Sequence, residues 1–120
     1  MSRNYSLYLQ DILVAIDRID SYLEGVTREA FETEQMRLDA VIRNLQIIGE
    51  AINRIPHSIR EEYPQVPWQE IVAFRNRVTH VYFNLDIDIV WNVVRRELPT
   101  LKTQIQAILK STPDDTVLFV

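Results

Sequence analysis

The chain has 120 residues, 47% of them hydrophobic and 25% charged, and contains no cysteine. That length fits one domain with a single core, excludes disulfides and thiolate metal sites, and includes no apolar run near the roughly 18 residues of a membrane span. Thirteen basic against 17 acidic side chains leave a net charge of −4, which argues against a protein whose main task is coating nucleic acid but permits a local cationic site.

The N-terminal stretch MSRNYSLYLQD lacks the apolar run and small-residue cleavage site of a secretory signal, so a cytoplasmic location is expected. With only two glycines and no hairpin dipeptides, the chain reads as all-α. From Ser6 to Leu23, apolar residues (Tyr5, Tyr8 or Leu9, Ile12, Ile16, Ile19, Leu23) recur at three- and four-residue steps, the pattern of an amphipathic helix. Gly25 suits its C-terminal cap, and Thr27 suits the N-cap of a short turn over Arg28 to Phe31.

The second long helix is expected over Glu34 to Ile55, ended by Pro56, with Met36 or Leu38, Val41, Leu45, Ile48, Ile52 and Ile55 as its stripe. Gly49 lies inside it at a cost of about 1 kcal/mol relative to alanine, which is either tolerated or needed for the close approach of another helix, within the fold or across a dimer. Its polar neighbours Glu50, Asn53 and Arg54 suggest that this end borders a cleft.

Residues 56–67 hold three of the five prolines and one short helical turn, and Pro67 fits the first position of a third helix, Trp68 to Thr79. Asn84 and Asp86 can cap a fourth segment carrying Ile89 or Val90, Val93 or Val94, Leu98, Leu101, Ile105 and Ile108, which Pro99 should kink or divide. The expected architecture is an up-and-down bundle of four or five helices over residues 1–110. Residues 111–120 form a flexible tail whose apolar end, Val117 to Val120, could dock on a partner.

The chemistry concentrates in FRNRVTHVYFNLD, Phe74 to Asp86. Arginine plus histidine, without a metal or carboxylate set, suits work on a phosphodiester. The guanidinium grips phosphate oxygens, and the imidazole takes or gives a proton near neutral pH. RNA supplies its own nucleophile in the 2′-hydroxyl, so the implied reaction is metal-independent cleavage leaving a 2′,3′-cyclic phosphate. Five residues of ideal helix turn through about 500°, so positions 75 and 80 stand about 140° apart. Arg75 and His80 could therefore share a substrate if the helix ends or loosens near Val78 to His80, or if two copies meet across a dimer, which also supplies a second histidine. Against this stands the plainer reading of basic residues favoured at a helix C-terminus. His57 has no clustered partner, no ligand spacing supports a metal at His57 and His80, and no cofactor motif is present.

Arg75-Asn76-Arg77-Val78-Thr79-His80-Val81-Tyr82 resembles the R-N-x-x-x-H-x-Y signature of the HEPN superfamily, specifically the HepT-like toxins of HEPN/MNT toxin–antitoxin pairs. VIRNLQIIGEA (Val41 to Ala51), YPQVPWQEIVAF (Tyr63 to Phe74), Asp86 and Trp91 resemble the family's flanking helices, so the likeness spans roughly Ser6 to Leu109. The resemblance implies a HEPN-like bundle that forms a homodimer with two motifs in one cleft. It implies an endoribonuclease toxin with Arg75, Asn76 and His80 catalytic. It also implies an RNA substrate and a cognate minimal nucleotidyltransferase (MNT) antitoxin that transfers AMP to Tyr82, whose added charge and bulk would oppose RNA. Arg77 is a further candidate for RNA contact, although solvated helix charge is the simpler account of Arg77, Arg95 and Arg96 alike. The alternative from another class is a non-catalytic helical subunit of a nucleotidyltransferase complex, which the acidic net charge suits. A purely structural dimerisation bundle would leave Arg75 and His80 unexplained.

Overall fold

The structure is a computed structural model that describes residues 4–80 and 86–111, with the backbone alone for 78–80. The described residues are helical throughout apart from turns and connectors, and no strand occurs among them. In chain order the helices are α1 (Tyr5–Tyr22), α2 (Arg28–Thr33), α3 (Gln35–Asn53), α4 (His57–Glu62), α5 (Trp68–His80), α6 (Ile87–Asn92) and α7 (Leu98–Ser111), with a π-helical stretch, Val93–Glu97, between the last two. The all-α bundle expected from the sequence is the observed fold. The short turns became α2 and α4, and the fourth segment became α6 through α7.

Local signals account for most of the boundaries. Asn4 Oδ1 accepts from the Ser6 N–H at 2.9 Å and starts α1. Thr27 Oγ1 accepts from Ala30 N–H at 3.1 Å and starts α2, as its position predicts. Between them Gly25 takes φ +71°, a left-handed turn that side chains other than glycine rarely adopt. Asp86 caps α6 by accepting from the Asp88 N–H at 2.9 Å. Pro67 precedes α5, and its carbonyl accepts from the Ile71 N–H at 3.1 Å.

The response to Pro99 is specific. The helical backbone is not divided but widens one turn earlier, where the Leu98 N–H bonds to the Val93 carbonyl five residues back. A π-turn of this kind adds a residue to the register and accommodates a proline that can neither donate nor pack against its preceding turn.

α1 packs most extensively on α3, α3 next on α5, and α7 closes against α1. The core is the shared stripe of these helices: Leu9, Ile12, Ile16, Ile19, Val41, Ile48, Ile52, Ile105 and Ile108 are all buried to within a percent or so, with Phe31 of α2 among them. Each such side chain contributes about 1.5–3 kcal/mol through burial. Where the periodicity left a choice, Leu9 and Leu38 are buried, while Met36 is 87% exposed.

The arginines near the connectors are structural. Arg95 donates to the Leu23 and Val26 carbonyls, both at 3.1 Å, and lies 4.5 Å over the Trp91 ring. Arg95 is exposed as expected of a helix charge, yet it is not merely solvated: it adds a second donor to the Leu23 carbonyl, which also accepts from the Val26 N–H at 3.0 Å, and ties the turn at residues 23–26 to the later helices. Trp68 Nε1 donates to the Arg60 and Tyr63 carbonyls at 3.1 and 3.0 Å, fixing the proline-rich connector against the start of α5. Residues 81–85 and 112–120 lie outside the described set, so Tyr82, the Asn84 cap and the apolar tail do too.

Candidate functional site

Gly49 of α3 and Arg75 of α5 meet at the point where those helices cross. A Cβ built on Gly49 would lie 2.4 Å from the Arg75 Cβ and 2.5 Å from its Cγ. No real side chains approach so closely, and the conflict involves the base of Arg75, which cannot swing away as its tip could. The glycine therefore serves the close approach of another helix within the fold. It lets the arginine stem lie directly on the α3 backbone.

The guanidinium at the end of that stem meets an amide at hydrogen-bond distance on one side and a carboxylate at longer range on the other. Nη1 donates to Asn76 Oδ1 at 2.9 Å, and Nη2 lies 3.7 Å from Glu50 Oε1. The Arg75 side chain is 27% exposed, with its Nε buried at the crossing. Asn76 and Arg77 are exposed on the same helix. Glu50 borders the site as its place in the sequence suggested, and its carboxylate is also 3.9 Å from Arg43 Nη1. Arg43 was not singled out from the sequence. Its signal was the seven-residue spacing to Glu50, two full turns along one side of α3.

α5 runs as regular α-helix from Arg75 through His80. Of the routes by which positions 75 and 80 could share a substrate, loosening of the helix before His80 is not observed, whereas His80 is the last residue of α5 and residues 81–85 lie outside the described set. On one chain these positions remain about 140° apart around the axis. His57 sits well away in sequence on α4, with Nε2 3.3 Å from Arg60 Nη2. Among the described residues no group of three or more His, Asp or Glu side chains is placed to share a metal ion.

A separate groove of about 530 Å³ runs between α3, α5 and α7, lined by Leu45, Ile48, Ile71, Phe74 and Leu101 among others. The apolar concavity is lined by Phe74 but not by the polar residues Arg75, Asn76 and Glu50.

The profile described as Ribonuclease HepT-like matches residues 12–108, which include the Gly49–Arg75 crossing and the whole motif. The chain belongs to the HepT-like family. It is 34% identical over 110 residues to a protein of Thermococcus cleftensis named "Probable ribonuclease HepT", covering 92% of this chain and all of that one. It is 37% identical over 110 residues to a Methanocaldococcus jannaschii protein named "Gamma-glutamylcyclotransferase and putative RNase", spanning half of that longer protein's length. A relative from Caldanaerobacter subterraneus subsp. tengcongensis, named "Putative RNase", is 34% identical over 103 residues, or 86% of this chain and 92% of its own. No solved structure matches the chain. No described helix of this HepT-like protein is long and apolar enough to cross a membrane.

Proposed function

We propose that this HepT-like chain is a metal-independent endoribonuclease toxin acting as a homodimer, with Arg75, Asn76 and His80 as its catalytic residues. The observation that carries the reading is Arg75, its stem seated on Gly49, its guanidinium donating to Asn76 beside the Glu50 carboxylate, and its side chain partly exposed. A cation held this way stabilises negative charge on a phosphate without reorganising at the moment of reaction. The names of the relatives, two of which this chain matches over nearly their full length, support RNA as the substrate.

In this mechanism His80 removes the proton of a ribose 2′-hydroxyl. The resulting oxygen attacks the adjacent phosphorus, and the bond to the 5′-oxygen breaks as that oxygen gains a proton. The products are a 2′,3′-cyclic phosphate and a 5′-hydroxyl. Because positions 75 and 80 diverge on a regular helix, His80 of one protomer works with Arg75 of its partner. The second histidine of the pair then supplies the acid that a lone imidazole lacks. Arg77, exposed beside the motif, adds an RNA contact. A cognate minimal nucleotidyltransferase antitoxin silences the enzyme by transferring AMP to Tyr82. The adduct places a phosphate where RNA would come and repels it. The protein works in the cytoplasm, where RNA and ATP are both at hand.

The test is cleavage of RNA by unmodified protein in excess chelator, with product ends read by mass. Wild type should yield cyclic phosphate, and Arg75→Ala or His80→Ala in a still-folded dimer should lower the rate by about 10²–10⁴-fold. Intact RNA at high enzyme concentration would instead favour the non-catalytic subunit. With the partner enzyme and ATP, wild type should gain the mass of AMP and Tyr82→Phe should not.

A further inference from the structure

Two arginines of this chain share one carboxylate. Glu50 Oε1 lies 3.7 Å from Arg75 Nη2 and 3.9 Å from Arg43 Nη1. Both distances exceed the roughly 2.7–2.9 Å of a charge-assisted hydrogen bond, so the carboxylate sits between the two cations without being tightly bonded to either. Arg43 is 61% exposed and Glu50 44%, a setting in which ion pairs contribute little to stability. The placement of Arg75 does not depend on Glu50, because Gly49 seats its stem and Asn76 receives one of its N–H groups. The other structural arginines behave differently. Arg95 caps carbonyls at 3.1 Å, and Arg28 bonds Asp88 at 2.7 Å.

We propose that Arg43 and Arg75 form a two-arginine clamp for the phosphodiester backbone of RNA, with Glu50 as the exchangeable counter-charge that occupies the clamp when RNA is absent. A phosphodiester offers two unesterified oxygens, one for each guanidinium, and a guanidinium's planar fork of N–H donors matches phosphate oxygens. Displacement of the Glu50 carboxylate by the phosphate exposes two positive charges on a protein whose net charge is −4. The clamp therefore concentrates attraction for RNA at the site of cleavage, in a chain that lacks the overall basicity for avid non-specific binding. The proposal rests on the ribonuclease reading and extends it by adding a binding residue, Arg43, and a competing residue, Glu50.

The experiment measures binding of a 2′-O-methyl RNA oligonucleotide, which cannot be cleaved by 2′-oxygen attack, to the full chain over a salt series. Arg43→Ala should weaken binding about ten-fold and lower the slope of log affinity against log salt by about 0.7, the single-strand value for one lost phosphate contact. Arg43→Lys should recover part of the affinity. Glu50→Gln, nearly isosteric, should tighten binding several-fold because the competing charge is gone. In cleavage assays the Arg43→Ala loss should fall on KM rather than kcat. Wild-type affinity and salt slope in Arg43→Ala would overturn the proposal, as would weaker binding in Glu50→Gln or no oligonucleotide binding by wild type. Cleavage that persists with no Arg43 effect removes the clamp and leaves the ribonuclease; the expected binding changes without any cleavage keep the clamp and remove the ribonuclease.

Discussion

The α1–α3 interface and the α3–α5 crossing use the same helix in opposite ways. Where it packs most extensively, on α1, α3 contributes to a core in which Val41, Ile48 and Ile52 are buried, aliphatic side chains that are interchangeable with others of similar volume. Toward α5 it presents a glycine, and what fills the gap is the stem of an arginine whose charged end continues past the contact. The first interface is stabilised by area removed from water. The second gives up helix propensity at Gly49 and packs a cation where an aliphatic residue would pack better. Such local departures from what stability alone favours are expected where a site must be positioned. The difference predicts that the two regions respond to substitution in distinguishable ways.

The largest stability effect should come from the aliphatic side. Ile105 of α7 is fully buried, and Ile105→Ala leaves a cavity that the surrounding helices fill only in part. A loss of about 2–5 kcal/mol is expected, read as a lower denaturant midpoint with an unchanged m-value. RNA cleavage per folded molecule should stay close to wild type. A selective loss of cleavage at full stability would break the comparison, because it would place function in the core.

Gly49→Ala tests the other side. Alanine gains about 1 kcal/mol in helix propensity, but the overpacking against Arg75 Cβ and Cγ costs about 1–3 kcal/mol, so the net change in stability is modest. Function should suffer far more: the crossing must open, Arg75 is carried away from Asn76 and Glu50, and cleavage falls at least ten-fold. Since the conflict involves Cβ, Arg75→Ala does not relieve it whereas Arg75→Gly does. A double-mutant cycle of Gly49→Ala with Arg75→Gly should therefore show a favourable coupling energy of about 1 kcal/mol or more. Additive effects would mean that the helices adjust without cost.

These two regions were unequally legible in the sequence. The aliphatic stripes of α1, α3 and α7 repeat at helical spacing, and caps such as Thr27 and Asp86 are local signals, so the bundle could be read directly. The motif was visible as Arg75, Asn76 and His80, and Gly49 as a glycine needing a reason. The reason itself was not readable, because the α3–α5 crossing joins residues 26 positions apart and no periodicity encodes which residue meets a glycine. The partners of Arg95 were hidden for the same kind of reason. They are the carbonyls of Leu23 and Val26, groups that every residue carries and that sequence cannot mark. The π-turn before Pro99 was foreseeable as a disturbance but not in kind, since a kink, a break and an inserted residue all answer the missing N–H.

The smallest expected effect sharpens the contrast between a held cation and a shared one. Lys102 of α7 reaches Asp17 of α1 at 3.0 Å on the rim of the core, unlike the longer contacts of Glu50 with two arginines. The hydrogen bond to Asp17 raises the Lys102 pKa above its usual 10.5, the charge of Asp17 adds to it, and partial desolvation opposes it, with the Asp20 charge contributing least. A raised folded-state pKa means that the charged form is favoured by folding. The stabilisation is fully present below the unfolded value and is lost as pH rises through the higher folded one. Lys102→Ala should therefore lower Tm slightly and by a constant amount near neutral pH, and the two proteins should converge as pH climbs beyond 10.5. Because the pair is exposed, the difference should also shrink in about 1 M salt, where the Debye length is about 3 Å. A gap that widens at high pH would reverse the sign and show that Lys102 contributes through its aliphatic stem on α1 rather than through its charge.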